Sequence, residues 1–345
     1  MNGTIRGSVT RGWPRALRVI AFLGLAVPVP GAHAAETVAV ELELTEGGNN
    51  YDDPCFWQDP VDQTRVLSCI TSKEDGQVEC FTLPAGAFFG AAKGFKGKAN
   101  NCDVDAVRNE MATTDNAREP GVLIHSMPSL ELLRKFGDDI DTPNGVCVGH
   151  EDGKSLVFVT DQGADDVIVF DSVTGDELRR WEYELKKAEG IACDDDLQRV
   201  YVCDDESDAR GCKAFTYGGE PVGDEFGISE TGSDAEGVTL YRCGSGDGYI
   251  VVSDQVNNEY DVFDRQPPFA HRCSFELVAG SDLTDDTDGI DVIQSAAYPG
   301  GLFGACDHCN GSKDELDLAS WERIAEACGL EVCPLGKVPG STAAR

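Results

Sequence analysis

One short pattern of apolar and polar positions recurs along the chain. It reads Leu156-Val-Phe-Val-Thr-Asp161, Val200-Tyr-Val-Cys-Asp204, Tyr249-Ile-Val-Val-Ser-Asp254 and Leu302-Phe-Gly-Ala-Cys-Asp307, with looser copies at Val66–Ser72 and Met111–Asp115. The copies start near residues 66, 111, 156, 200, 249 and 301, a period of about 45 to 50 residues. Several run on into an alternating strand, as in Asp166-Val-Ile-Val-Phe-Asp171 and Glu259-Tyr-Asp-Val-Phe-Asp264. A second piece precedes each copy: Asp52-Asp-Pro-Cys-Phe-Trp57, Asn100-Asn-Cys-Asp-Val104, Pro143-Asn-Gly-Val-Cys147, Ala188-Glu-Gly-Ile-Ala192, Ala235-Glu-Gly-Val-Thr239 and Thr287-Asp-Gly-Ile-Asp291. Short, evenly spaced strands with almost no helical periodicity before Leu316 predict an all-β fold, a six-bladed β-propeller with four-stranded antiparallel blades. Thr37–Leu44, alternating apolar and acidic, is expected to supply the strand that closes the ring.

Equivalent positions of a radial repeat meet on one rim of the central channel. Aligning the six preceding pieces gives the column Asp53, Asn101, Asn144, Glu189, Glu236 and Asp288, with Asp52, Asp103, Asp234 and Asp286 beside it. The densest stretch, Ser281–Asp291, holds Asp282, Asp285, Asp286, Asp288 and Asp291. Carboxylates this close repel one another unless a cation sits among them, and hard oxygen donors suit Ca²⁺. The spacing is not that of an EF-hand. The ends of the second strands give another column at the same mouth: Lys73, Asn116, Gln162, Asp205, Gln255 and His308. Lys73 is a cation among acids, read either as an ordinary surface lysine or as a contact for a substrate anion. His308 reads as a loop histidine, and Trp57 and Trp321 as core.

Composition narrows the setting. Arg6, Arg11, Arg15 and Arg18 followed by apolar Val19–Val29 and Ala32-His-Ala34 read as a secretory signal over residues 1–34, with the propeller at 36–329 and a tail at 330–345. With those four arginines set aside, 24 basic residues face 62 acidic ones, a net charge of −38. Such a surface repels nucleic acid and anionic membranes, and repels a polyanionic substrate unless bound cations reverse the local sign. All 14 cysteines follow the leader, which argues for disulfides in a secreted or periplasmic protein. Cys55 with Cys69, or Cys193 with Cys203, flank hairpins and are candidate bridges. Cys306-Asp-His-Cys309 reads as a plain disulfide ahead of a metal or redox site, and Asn310-Gly-Ser312 is a glycosylation sequon.

The chain resembles the β-propeller phytases, the calcium-dependent alkaline 3-phytase family. The likeness is carried by Asp52–Trp57, Asn100–Asp103, Lys187–Asp195, Val200–Glu206, Asp234–Tyr241, Ser253–Tyr260, Asp285–Val292, Tyr298–Phe303 and Ser320–Ala325, in order from about residue 49 to 326. It implies hydrolysis of phytate, as its calcium complex, by metal-activated water, with a neighbouring phosphate in a second basic site. It places Asp52, Asp53, Asn101, Asp103, Glu189, Asp205, Asp234, Glu236, Gln255 and Asp286 at calcium-site or mouth positions, to which the column read from the residues adds Asp288 as a metal ligand. Lys73 falls on a lysine that contacts the scissile phosphate, and Glu189 and Glu236 are the carboxylates expected to serve catalysis. Departures accompany the match. The family's second-blade arginine falls on Asn116, and Arg118, two residues on along the same strand face, is expected to take its place in catalysis. A family lysine reads as Gln162, a phosphate-contacting tyrosine as Asn144, and Leu316–Ser320 lacks the usual asparagine and lysine.

Two functions are compatible with these residues. One is a secreted, monomeric Ca²⁺-dependent phosphomonoesterase acting on a small phosphoester. The other is a non-catalytic calcium-binding propeller that holds a partner or another phosphoester. No nucleophile elbow, P-loop or HExxH motif suggests different chemistry.

Overall fold

The computed structural model describes residues 34–116, 119–206, 211–231, 234–308 and 314–333. The secretory signal, Arg118, Cys309, the sequon and the tail beyond Cys333 lie outside the described residues. The second strands are Val66–Ser72, Glu110–Asp115, Lys154–Asp161, Arg199–Asp204, Gly248–Asp254 and Leu302–Asp307, and all six recurrent segments fall on them. Each pairs antiparallel with the inner strand before it: Tyr51–Gln58, Ala99–Asp105, Pro143–Glu151, Ala188–Asp194, Ala235–Arg242 and Ile290–Ile293. Each inner strand contacts the next, and the sixth contacts the first, so six blades close around a channel. Among the described residues, no helix is long and apolar enough to cross a membrane.

Two details depart from a uniform four-stranded blade. In blade 4 the third strand, Cys212–Thr216, has no regular outer partner among the described residues; the bridges Cys212↔Phe226 and Phe215↔Pro221 cover it instead. The covering loop contains Pro221, which cannot donate to a ladder, and several glycines, so a strand is not sustained there. Thr37–Leu44 divides its pairing. Glu36–Ala39 lies parallel to His271–Ala279 of blade 5, while Leu42–Leu44 becomes the outer strand of blade 6 against Glu315–Ser320. The start of the propeller thereby clasps its end.

The core lies between blades, where strands bury alternate faces. Phe158, Val169, Val200, Val202 and Tyr217 fill the space between blades 3 and 4. Trp57 and Trp321 are fully buried, and Trp321 opens the helix Trp321–Cys328 with its ring stacked on Tyr241 at 4.0 Å between centroids.

The sequence signature has a structural cause. The Asp that ends a second strand accepts backbone N–H groups from the loop leading into the inner strand. Asp115 takes Lys96 N (2.8 Å) and Gly97 N (2.9 Å), and Asp161 takes Thr142 N (2.8 Å). Asp204 takes Lys187 N (2.9 Å), and Asp307 takes Asp285 N (3.0 Å). The penultimate residue of the second strand staples the following blade: Thr71 Oγ1 donates to Asn100 O (2.8 Å), Ser253 Oγ to Thr287 O (2.7 Å) and the Cys306 thiol to Tyr51 O (3.1 Å). Buried polar groups are thus spent on fixing blade to blade.

The disulfides correct the sequence expectation. Cys55 joins Cys102 and Cys147 joins Cys193, each linking neighbouring inner strands, while Cys69–Cys80 and Cys203–Cys212 cross the second and third strands. Cys69 lies directly opposite both Cys55 and Cys80. Its bond to Cys80 leaves Cys55 to reach the adjacent blade. Cys193 lies opposite Val200, three residues from Cys203, so that pair is out of register. Cys243–Cys333 and Cys273–Cys328 tie the C-terminal helix and the residues just beyond it to blade 5. Cys306, expected to be bridged, is a free and buried thiol.

At the mouth, the inner strands of blades 1 to 5 share one irregularity. Pairing breaks between Tyr51 and Pro54, Ala99 and Cys102, Pro143 and Val146, Ala188 and Ile191, and Ala235 and Val238. Two residues in each break form a bulge, which re-aims side chains. The second is glycine in blades 3 to 5. A Cβ on Gly145 would meet Glu189 O at 2.0 Å, one on Gly190 would meet Glu236 O at 2.3 Å, and one on Gly237 would meet Asp288 O at 2.8 Å. Gly190→Ala should therefore force adjacent blades apart and lower stability by about 1–3 kcal/mol, read from the urea midpoint. An unchanged midpoint would show that the blades do not need this approach.

On the inner strands further from the mouth, His150 bridges three blades. Its Nδ1 lies 2.7 Å from Asp195 Oδ2 and its Nε2 3.3 Å from Asp105 Oδ1. Hydrogen bonds to Asp105 and Asp195 outweigh burial and raise its pKa from 6.5 to about 10. A pKa raised on folding stabilises fully below the unfolded value and fades as pH rises through the folded one. The melting-temperature gap between wild type and His150→Asn should be widest near about pH 6 and close above about pH 10. A gap constant across that range would remove the imidazolium from the account.

Candidate metal centre

The bulges set which side chains face the mouth. Their first residues, Asp52, Asn100, Asn144, Glu189 and Glu236, come together at the mouth with Asp288 of blade 6. Lys73 Nζ lies 2.5 Å from Asp52 Oδ1 and 3.8 Å from Glu189 Oε1. Asn100 Nδ2 donates to Asn144 Oδ1 (2.6 Å) and to Glu189 Oε1 (3.1 Å), and Asn116 Nδ2 donates to Asn144 Oδ1 (2.9 Å). Gln162 Nε2 reaches Glu189 Oε2 at 3.4 Å, and Gln255 Nε2 donates to Asp288 Oδ1.

The column read from sequence is therefore one residue out in blades 1 and 2. Asp53 and Asn101 occupy the second bulge position and turn to a neighbouring blade. Asp53 Oδ2 accepts Cys102 N at 3.4 Å, and Asn101 Oδ1 accepts Val146 N at 3.0 Å. The doubled Asp52-Asp53 and Asn100-Asn101 hid the offset, because either member satisfies the pattern. Asn100 was missed for that reason. Lys187 was missed as a site residue because its side chain, paired with Asp205, shows its direction only once the loop is folded.

At the mouth, Glu189, Asp205 and Glu236 gather, with one carboxylate oxygen of each lying within 4.8 Å of the others. Asp234 bridges Asp205 through the backbone, and its Oδ1 is buried with no hydrogen-bond partner. Asp286 sits in the left-handed region (φ 50°), with its N–H bonded to Asn258 Oδ1 at 2.8 Å. Asp103 lies further along the inner strand, its Oδ2 accepting Val148 N at 2.7 Å. His308 stands 3.4 Å from Asp314.

Electrostatics mark the mouth as short of positive charge. Burial, then Glu189 and Asp288, push the Glu236 carboxyl well up. Asp52 is raised by burial and by Asp288 and Glu189 against the pull of Lys73, and Asp205 is raised by burial. Asp288 rises to about 6, chiefly through burial, although Lys73 opposes the shift. Asp103 rises to about 7 through burial and Asp291. Lys73 is itself buried, which disfavours its charge, yet Asp52, Glu189 and Asp288 hold its pKa well above normal. Buried acids that crowd one another, with an orphaned oxygen beside them, fit a divalent cation held by oxygen donors.

A second acidic group lies on the outer strands of blade 6, where Glu43, Glu315 and Asp317 also come within 4.8 Å. Burial, with Asp307, Glu43 and Glu315, holds Asp317 up at about 7. Only the pairing of Glu43 with Asp317 across the closing strand brings these together, so no local pattern announced them.

Comparison with known proteins agrees with this architecture. The chain is 33% identical over 170 residues to a 3-phytase of Bacillus subtilis (strain 168), covering 46% of this chain and 44% of that relative. It thus spans less than half the length of the curated relative it matches. A family model described as Phytase matches residues 151–335, more than half of the sequence. The chain belongs to the phytase family.

Proposed function

We propose that this protein is an exported, calcium-dependent phosphomonoesterase that hydrolyses phytate, myo-inositol hexakisphosphate, at the channel mouth. The observation that carries this reading is the largely buried Lys73 ammonium paired with Asp52 and Glu189, where Glu189 is itself one of three carboxylates, with Asp205 and Glu236, that lie within 4.8 Å of one another. A phosphate cannot approach such acids in water alone, yet it can approach them once cations sit between. Six disulfides among the described residues suit an oxidising compartment outside the cytoplasm.

Glu189, Asp205 and Glu236, with Asp52, Asp234 and Asp288 around them, would hold the calcium. When bound, calcium would neutralise these carboxylates, draw phosphoryl oxygens to the mouth and acidify a water near phosphorus. Lys73 supplies a fixed positive charge to a non-bridging phosphoryl oxygen, pre-positioned by Asp52 so that little reorganisation is needed as charge develops. Asn100 and Gln162 orient Glu189, and Gln255 orients Asp288. The Cys306 thiol is buried and engaged with Tyr51 O, and so is no nucleophile.

A binding-only propeller is favoured by one observation. Asn144, where the family resemblance expects a phosphate-contacting tyrosine, accepts from both Asn100 and Asn116, which makes a neutral amide ladder of that flank. Phosphate release from phytate separates the two readings. Wild type with Ca²⁺ should release phosphate, a chelator should abolish release, and Lys73→Ala or Glu236→Gln should each lower kcat/KM by about 10²-fold or more. Wild-type release no higher than the chelator control would leave the binding protein.

Proton linkage gives an independent check. Asp288, at about 6, holds part of its proton in mildly acidic solution, and a cation must displace it; burial shifts Glu236 and Asp205 in the same direction. Calcium affinity should fall as pH drops through about 6, with protons released on binding and fewer released by Glu236→Gln. Calorimetry in buffers of different ionisation enthalpy measures this. A binding heat that ignores the buffer would place calcium elsewhere.

A further inference from the structure

The outer edge of blade 6 gathers acids at positions where a sheet ordinarily keeps them apart. Glu43 lies directly opposite Asp317, across the pairing of Leu42–Leu44 with Glu315–Ser320. Like charges so placed destabilise a sheet. Glu315, two residues from Asp317, shares the same face of its strand. One carboxylate oxygen of each of the three lies within 4.8 Å of the others. Two oxygens bound to one Ca²⁺ stand at most about 5 Å apart, so a single ion can reach all three acids. Among the described residues, no ammonium, guanidinium or imidazole pairs with Glu43 or Asp317.

Water does not dissipate this repulsion, because Asp317 is fully buried. Its Oδ2 accepts Thr284 Oγ1 at 2.5 Å, whereas its Oδ1 is buried with no hydrogen-bond partner. The facing blade supplies a second orphan. Tyr260 of blade 5 packs edge-on against Phe303 of blade 6, at 5.1 Å between centroids, and its hydroxyl is buried with no partner. Burial, and then Asp317, push the pKa of that hydroxyl well up, as a negative charge close by requires. Stranded oxygens at one seam between blades are costly unless a group outside the chain satisfies them. The donor set is all oxygen, with no histidine or cysteine to draw a softer ion, and two flexible glutamates beside one fixed aspartate suit calcium. Glu43 is exposed and Glu315 half-buried, which gives an ion its way in.

From this placement we infer that Glu43, Glu315 and Asp317 form a calcium site outside the mouth, which clamps the closing strand onto blade 6. The ion converts a repulsion across that pairing into a shared attraction. The strand it holds, Leu42–Leu44, is only three residues long and forms the outer edge of its blade, so its own ladder is a weak fastening. The segment Leu316–Ser320, which lacks the asparagine and lysine usual in the family, is where this chain carries Asp317. The site therefore belongs to this sequence rather than to the resemblance, and it does not depend on hydrolysis at the mouth. Acids that merely share protons or water predict a closing strand indifferent to calcium.

The test uses the whole protein as wild type, Glu43→Gln, Glu43→Lys and the mouth variant Glu236→Gln, with hydrogen exchange followed by mass spectrometry with and without Ca²⁺. Glu43 is exposed, so neither change to it threatens the fold. At calcium about 100 times the site's dissociation constant, exchange in the peptide holding Leu42–Leu44 should slow about 100-fold in wild type and in Glu236→Gln. The outer strand of blade 2, Leu132–Phe136, should change far less. Glu43→Gln should lose most of that slowing and bind one fewer calcium by calorimetry, with phosphate release as in wild type. Glu43→Lys, which sets an ammonium opposite Asp317, should exchange slowly there without calcium. Slowing that survives Glu43→Gln and vanishes in Glu236→Gln overturns the inference, since the mouth alone would then close the ring. Exchange indifferent to calcium in every form overturns it as well. A closing strand protected by calcium through Glu43, in a wild type that releases no phosphate from phytate, supports the clamp and removes the enzyme reading.

Discussion

Everything at the channel mouth depends on how closely successive inner strands approach one another. Backbone meets backbone there with no room for a side chain, and glycine at the second bulge position of blades 3 to 5 makes that contact possible. With the second residue of each bulge turned into the blade interface, the first can only project into the mouth. The acidic ring is therefore a by-product of ring closure, and its carboxylates cannot relax apart without opening the propeller. Their raised pKa values express that confinement.

The same logic explains where polar groups are spent. Aspartates at the ends of second strands are as buried as those of the mouth, yet backbone N–H donors satisfy Asp115, Asp161 and Asp204. Mouth carboxylates find ammonium, amides or one another instead. A protein with acids at both places thus separates backbone-satisfied acids from those of the mouth by what the neighbouring backbone offers.

Much of this was legible in the sequence. The recurrent apolar runs located all six second strands, because a blade must bury alternate faces at a fixed interval. Glu189 and Glu236 were placed at the mouth because a single acid stood beside glycine, and Asp205 because it directly follows the end of a second strand. The offset at Asp52-Asp53 and Asn100-Asn101 was not legible, since a bulge shifts register by a residue that two like neighbours conceal. The pairing of Cys69 with Cys80 rather than Cys55 was equally hidden, because both lie opposite it. Nor could sequence show Lys187 facing inward or Glu43 meeting Asp317, which are contacts made across blades or across the closing strand.

The thiol of Cys306 stands where blades 1 and 5 carry a hydroxyl, and it is what blade 6 offers to blade 1. Sulfur is the weaker donor. Among the described residues, covalent links join blades 1 and 2 and blades 3 and 4, whereas the seam from blade 6 to blade 1 has none. Asp52 and Asp288 lie on either side of that seam, with Lys73 between them. Whatever positive charge settles at the mouth therefore also latches the circle shut, and ligand occupancy and mechanical integrity of the ring become one equilibrium.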